Sequence, residues 1–481
     1  MNAPISRRQF LHHAASAAAL AAIPSAILAG ARRRRPNIVF IMVDDLGKEW
    51  ISAYGAEDIE TPNIDALAAG GMKFTSAYSM PQCTPSRVTL LTGQYPCRTG
   101  WVNHWDVPRW GIGYFDPTQY TTVATVLKRA GYTTAAAGKW QINDFRVMPD
   151  AMRKHGFDDW CLWTGYETDN PPSGKRYWDP YVNTPTGSKT HKGKFGPDVY
   201  ADYLLDFAER HKDEPMFLYW PMCLTHGPLV HTPEEPNATG IYPRHKAMVR
   251  YTDKLVGRLV AKLEELRVRD NTIIIFTTDN GSGGGITGTR NARQVKGGKG
   301  KKSEAGTCAP FIVNCPDLVP AGVTTNALTD FTDLLPTFAE LAGAKIPGKP
   351  EVDGVSIAPL LLGVDDDSPR QWIMALGHGP AKLDEKGVRG QHDYASRVIR
   401  DKRYKVWVDT NRQITELYDL QTDPWEEENL IASDAPPHLA AKKKFQSIID
   451  SMPAKDARPK YRPSPSQPWE RALPEKDRRT P

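Results

Sequence analysis

The sequence predicts an α/β fold: a large mixed, mostly parallel sheet flanked by helices, with a smaller C-terminal α+β subdomain carrying a short antiparallel sheet. Three observations predict it. Continuous apolar runs without polar alternation read as strands buried on both faces. Helical patterns lie between those runs, which is the alternation of an α/β sandwich. After about residue 375 the pattern changes to short strands separated by polar turns.

In chain order, Asn37–Val43 (NIVFIMV) is the first apolar run and ends at Asp44-Asp45. Thr61-Pro62 opens a short helix that stops at Gly70-Gly71, with proline in the first turn and glycine past the end. The helical pattern Val123–Arg129 ends at Gly131, and the run Thr133–Ala137 leads into Gly138-Lys139. Pro197–His211 is amphipathic, Met216–Leu224 ends at Thr225-His226, and Arg244–Arg267 is a long helix with a charged face. Thr272–Phe276 reaches Asp279-Asn280-Gly281 after two threonines, and Phe311–Val313 closes at Asn314. Beyond these, Arg397–Ile399, Tyr404–Val408 and Leu417–Tyr418 read as strands and Pro436–Met452 as a terminal helix. The organisation expected is 1–35 export signal, 36–375 main α/β domain, 376–452 C-terminal subdomain and 453–481 Pro-rich tail. With seven prolines in 29 residues, that tail reads as an extended strap or a disordered segment. Ligands of such sheets bind beyond the carboxyl ends of the strands. The acids, Lys139 and His226 all fall at those ends.

The charge is informative by where it sits. Of 61 basic residues against 56 acidic, six arginines fall within residues 1–35, which hold no acid, leaving 55 against 56. A body so balanced has no general electrostatic claim on nucleic acid. Ser6-Arg7-Arg8-Gln9-Phe10-Leu11, followed by a charge-free, Ala-rich stretch to Ala31, has the form of a bacterial twin-arginine export signal. The expected location is therefore periplasmic or extracellular, with the twin-arginine export machinery as a partner. Six cysteines in 481 residues do not make a disulfide scaffold.

One cysteine stands in a motif. Cys83-Thr84-Pro85-Ser86-Arg87 precedes Val88-Thr89-Leu90-Leu91-Thr92-Gly93. Pro85 suits a first helical turn, so Cys83 stands at a helix N-terminus, where partial positive charge favours anions and Arg87 adds a full charge one turn along. C-x-P-S-R followed by L-T-G resembles the signature of the sulfatase family, the formylglycine-dependent arylsulfatase type of the alkaline-phosphatase-like superfamily. The resemblance extends over about residues 36–430. It implies that a maturation enzyme converts Cys83 to formylglycine, whose hydrate attacks sulfur. Asp44, Asp45, Asp279 and Asn280 offer hard oxygen donors that, with residue 83, suit calcium, or magnesium as the alternative, rather than zinc. By the same resemblance Lys139 and Lys299 hold sulfate oxygens, and His226 protonates the leaving group.

The expected reaction is hydrolysis of a sulfate monoester on a carbohydrate, with a sulfated small molecule or glycan as the binding partner. Two other readings accompany it: a phosphodiester or phosphonate ester hydrolase using the same nucleophile and metal, and a catalytically weak glycan-binding relative. Gln141 favours the last, because the family usually reads G-K-W-H where this chain has Gly138-Lys139-Trp140-Gln141, and glutamine cannot take a proton. His104 and His155 are candidate substitutes. Glu304 matches an E-G-G segment of the family, from which Ala305 departs. The aromatic residues Trp160, Trp163, Tyr166, Tyr177, Trp178 and Tyr181 suit either sugar stacking or loop packing. His378, Arg389 and His392 are candidates to reach the same cleft from the C-terminal subdomain.

Overall fold

The structure is a computed structural model that describes residues 35–103, 113–143, 145, 148–163, 165, 171–348, 351–377, 379, 382–384, 387–389, 392–459 and 461–463. The twin-arginine segment, most of the Pro-rich tail, His104, Tyr166 and His378 lie outside the described residues.

The central sheet has eleven strands: β1 (Asn37–Val43), β2 (Met72–Tyr78), β3 (Thr133–Lys139), β4 (Asp159–Trp163), β5 (Tyr181–Thr184), β6 (Gly187–Thr190), β7 (Met216–Pro221), β8 (Thr272–Thr278), β9 (Cys308–Asn314), β10 (Val323–Thr325) and β11 (Thr329–Asp330). Their order is β10-β2-β9-β8-β1-β7-β3-β4-β5-β6, with β11 beside β2. The run β8-β1-β7-β3-β4 is parallel throughout. β9 runs antiparallel to both of its neighbours, β8 and β2.

The unbroken apolar runs follow from two covered faces. Side chains alternate across a strand, so Ile38, Phe40 and Met42 enter one core while Val39, Ile41 and Val43 enter the other. Helices α1 (Pro62–Ala69), α2 (Cys83–Thr92), α3 (Val123–Arg129), α4 (Gly196–Arg210), α5 (Ile241–Glu265) and α6 (Leu334–Leu341) supply the two covers. The first core takes Leu90 and Leu91 of α2, Val126 and Leu127 of α3, and Leu335 and Phe338 of α6. The second takes Ile64 of α1, Leu204 and Phe207 of α4, and Leu255 and Leu259 of α5. Each fully buried side chain of this size contributes about 1.5–3 kcal/mol.

A second, antiparallel sheet follows: β12 (Ile373–Leu376), β13 (Arg397–Arg400), β14 (Tyr404–Val408) and β15 (Ile414–Asp419). Helix α7 (Pro436–Ser451) covers it with Ala441, Phe445 and Ile449, in a core shared with Tyr78, Met80 and Tyr95. Within the tail, Tyr461–Pro463 is extended and pairs with Gly113–Phe115. All six cysteines are free thiols. No helix among the described residues is long and apolar enough to cross a membrane.

Gly138 sits in β3 one residue before Lys139, at φ 127°. A Cβ there would lie 1.9 Å from the carbonyl oxygen of Pro221 in β7. Only glycine fits so close to a neighbouring backbone. The substitution Gly138→Ala is expected to cost at least about 2 kcal/mol of stability in chemical denaturation. A loss under about 0.5 kcal/mol, within the range of neutral surface changes, would mean that β3 and β7 can part there freely.

Candidate active site

Six segments meet at one edge of the central sheet. Asp44 and Asp45 follow β1, Lys139 ends β3, His226 follows β7, and Asp279 and Asn280 follow β8. Cys83 is the first residue of α2, which stops at Gly93 in the left-handed region, φ 65°. Lys299 arrives on a loop whose backbone is tied to its surroundings: Lys299 N donates to Ser282 O at 3.0 Å, and Gly300 N to Pro81 O at 2.8 Å.

The side chains converge on Cys83. Its Sγ is 3.4 Å from Asp44 Oδ1, 3.6 Å from Asn280 Oδ1, 3.4 Å from Lys139 Nζ and 3.6 Å from Lys299 Nζ. Lys139 Nζ donates to Asp44 Oδ2 at 2.6 Å, and Lys299 Nζ to Asp45 Oδ2 at 2.7 Å. Asn280 Nδ2 donates to Asp45 Oδ1 at 2.7 Å, and Asp45 N to Asp279 Oδ1 at 3.2 Å. Arg87 stands behind this group: Nη1 donates to the Lys139 carbonyl at 2.6 Å and Nη2 to Asp279 Oδ2 at 3.1 Å. One guanidinium thus ties α2 to the ends of β3 and β8. Two non-glycine residues here, Asp45 (φ 64°) and Gln141 (φ 75°), take the left-handed region, a local strain of the sort that collects at functional sites.

Burial sets the electrostatics. It pushes the Asp44 carboxyl up, and Lys139, His226, Lys299 and Arg87 outweigh it, leaving Asp44 well below the usual carboxylate range. Asp279 is pushed up to about 7, by burial first and then by the Asp44 carboxylate. Burial, followed by the Asp279 and Asp44 carboxylates, raises the Cys83 thiol, so the unmodified side chain is a poor nucleophile. Asp44, Asp45, Cys83 and His226 each bring a ligand atom within 4.8 Å of the others. Hard oxygen donors dominate this set once Asp279 and Asn280 are added. A divalent cation of the calcium or magnesium type fits these residues.

His226 is the most exposed member of the group, its side chain 28% accessible, with Nε2 3.7 Å from Asp45 Oδ2. Burial lowers it to about 4, against the pull of Asp44 and Asp45. The ring is held by a residue that sequence reasoning missed. Arg176 Nη2 is 2.8 Å from His226 Nδ1 and also donates to the Gly227 carbonyl. Its guanidinium lies over Trp163, 4.5 Å from the ring centroid. Arg176 is followed by an aromatic pair and carries no motif, so only the fold reveals it.

Several expectations are corrected. His155 is fully buried, donates from Nε2 to Asn143 Oδ1 (3.0 Å), stacks on Phe115 and is lowered to about 3 by burial, so it is a core residue and no substitute base. Trp160, Trp163 and Tyr177 are buried, and the Tyr177 hydroxyl donates to the Cys223 carbonyl at 2.7 Å. Trp178 packs on Phe195 and His231, so packing rather than a sugar platform accounts for these four rings, while Tyr181 stands half-buried on β5. Glu304 does not line the group around Cys83; it bonds Tyr78, Arg400 and Lys405. Arg389 ends the short strand Gly387–Arg389, and His392 is exposed. Gln141 is 3% exposed, and its Oε1 has no hydrogen-bond partner among the described residues.

Comparisons with known proteins agree with this arrangement. The family profile described as Sulfatase matches residues 36–344, and one described as N-sulphoglucosamine sulphohydrolase, C-terminal, matches residues 302–451. Over 355 residues the chain is 34% identical to N-acetylgalactosamine-6-sulfatase of Canis lupus familiaris, covering 68% of this chain and 66% of that relative. Over 479 residues it is 33% identical to arylsulfatase A of Homo sapiens, covering 88% of this chain and 89% of the relative. The crystal structure of Ps i-CgsB in complex with k-i-k-neocarrahexaose is similar with a TM-score of 0.74 and 26% identity, over 89% of this chain and 95% of that one. The α/β domain and the smaller antiparallel sheet are thus both accounted for, and the chain belongs to the sulfatase family.

Proposed function

We propose that this protein hydrolyses sulfate monoesters on a carbohydrate, releasing an alcohol and inorganic sulfate, with a nucleophile made from Cys83. The observation that carries this reading is the position of Cys83, at a helix N-terminus between the Lys139 and Lys299 ammonium groups and against Asp44. Oxidised to formylglycine by a maturation enzyme, residue 83 would carry an aldehyde whose hydrate presents a hydroxyl to sulfur. Asp44, Asp45, Asp279 and Asn280 would hold calcium, which when bound draws charge from the sulfate and acidifies that hydroxyl. Lys139 and Lys299 orient the sulfate oxygens by charge-assisted hydrogen bonds. His226, kept in place by Arg176 and raised from its resting value of about 4 by the anionic substrate beside it, gives a proton to the departing oxygen, because a neutral alcohol leaves more readily than an alkoxide. Arg87 holds Asp279 and the end of β3 in register.

A carbohydrate substrate is supported by two relatives: one is named for N-acetylgalactosamine 6-sulfate chemistry and another holds a neocarrahexaose. Export through the twin-arginine route fits a protein matured in the cytoplasm and acting in the periplasm or outside the cell. The phosphorus-ester reading uses the same nucleophile and cation and is separated from ours by substrate preference.

Protein from the native host is expected to show formylglycine at residue 83 by peptide mass spectrometry and to cleave an aryl sulfate in preference to a phosphodiester or phosphonate. An unmodified thiol there, or dominant phosphorus activity, would sink the proposal. Lys139→Ala and Lys299→Ala should each lower kcat/KM roughly 10 to 150-fold, the value of a lost charge-assisted hydrogen bond of about 1.5–3 kcal/mol. Steady-state kinetics that leave either variant within twofold of the parent would remove that lysine from the sulfate. Gln141→His should speed the release of inorganic sulfate without changing the first burst of alcohol, since only collapse of the sulfated intermediate needs a base there. A changed alcohol burst with unchanged sulfate release would assign Gln141 to substrate binding instead.

A further inference from the structure

A cleft of about 700 Å³ lies apart from the group around Cys83, and none of its lining residues belongs to that group. Seven basic and four acidic side chains line it. One wall is the antiparallel pair Thr287–Arg290 and Arg293–Lys296; the facing wall includes Lys402 and Arg403, which follow β13, and Trp425. Some of these charges are already satisfied: Arg293 pairs with Glu427, Lys402 with Asp367 and Arg403 with Asp419. Arg400 pairs with Glu304, and Lys48 bonds the Thr75 carbonyl. Among the described residues, Arg290 and Lys296 make no direct ion pair, although Arg290 lies near enough to the buried Glu49 carboxylate to counter part of the rise that burial imposes on it. Arg290 Nε is buried without a hydrogen-bond acceptor, while its guanidinium lies 4.8 Å from the centroid of the Trp425 ring. Lys296 is exposed on the rim. A volume of this size accommodates one or two sugar units. The Arg290 guanidinium and the exposed Lys296 ammonium offer donors for an anion, and the Trp425 indole, which Arg290 and Arg293 flank, offers apolar surface beside them.

The cleft shares backbone with the candidate active site. Lys48 and Glu49 of its floor follow Asp45 by three and four residues. Lys296 and Ser303 lie at the two ends of the loop that carries Lys299 to Asp45. We propose that this cleft is a second binding site for an anionic unit, sulfate or uronate, of the same glycan chain, remote from the unit being cleaved. Arg290 and Lys296 hold the anion and Trp425 the ring. The inference rests on the proposed function, and it makes the enzyme's affinity for its substrate depend on chain length.

The test uses Cys83→Ala protein, which binds without turnover, and heparin and chondroitin sulfate fragments of two and six sugars, titrated calorimetrically at fixed salt. Arg290→Gln with Lys296→Glu is expected to weaken hexasaccharide binding about 10-fold, the loss of about 1.4 kcal/mol of charge-assisted contact. Disaccharide binding should be unchanged, as should turnover of 4-nitrophenyl sulfate by the same pair of substitutions in protein that retains Cys83. Lys296→Glu alone, at an exposed position, must show part of the effect with an unaltered near-ultraviolet circular dichroism spectrum. Unchanged hexasaccharide affinity, or an equal loss for the disaccharide, overturns the inference. So does equally tight binding of a single-stranded DNA of matched charge, which would mark a general polyanion surface. If no sulfate ester is cleaved yet the length-dependent loss appears, the activity proposed above fails and the cleft stands.

Discussion

Charge balance among largely buried groups at one edge of the sheet is the constraint on which the rest of this molecule depends. Asp44 and Asp279 are fully buried and Arg87 is 1% exposed. Two unit charges 4 Å apart interact by about 4 kcal/mol at an effective dielectric of 20, so carboxylates packed this way hold together only if cations sit among them. Lys139 reaches Asp44, Lys299 reaches Asp45 and Arg87 reaches Asp279. Each cation comes from a different segment of the chain. The cluster is therefore a property of the complete fold, and an anionic substrate or a cation entering it rearranges pairings that already exist.

Strand direction explains how those segments arrive. β8, β1, β7 and β3 are parallel, so the residues after them emerge at the same edge. β2 runs the same way, and Cys83 follows its last residue, Tyr78, by five positions. β9 alone is reversed in this part of the sheet, so its beginning, not its end, lies at that edge. The loop before β9 can then deliver Lys299, whereas Asn314 at its end is carried away and holds the Leu67 carbonyl instead. A parallel strand in this place would have sent Lys299 to the far side.

The C-terminal sheet is locked to the main body by a second buried charge group. Burial would raise the Glu304 carboxyl, but Lys405 of β14 and Arg400 of β13 hold it well below the ordinary value. Lys405 is fully buried and also pairs with Glu426 at 3.0 Å. Removing one partner of such a group leaves a buried charge uncompensated, typically a loss of 3–5 kcal/mol. Glu304 thus explains why this sheet stays beside the loop that carries Lys299, although nothing in its local sequence distinguishes an anchoring acid from a catalytic one.

The sequence by itself determined the long apolar strands β1, β3, β7, β8 and β9, though not β2 or the short outer strands, together with most helix boundaries within a few residues and the kind of chemistry available. Continuous apolar runs have only one stable use, burial on two faces, and Cys83-Thr84-Pro85-Ser86-Arg87 announces a helix start in five residues. Tertiary structure alone decided which polar residues share one space. His155 and the aromatic residues Trp160, Trp163 and Tyr177 look like chemistry in a linear reading, yet they are core, because packing depends on neighbours from other strands. Arg176 looks like nothing in particular and holds His226. Lys299 stands among similar lysines, and only a loop fastened to Ser282 and Pro81 selects it for Asp45. Periodicity and turn chemistry are local and can be read along the chain. Distances between charges are set by strand order and direction, which no single segment encodes.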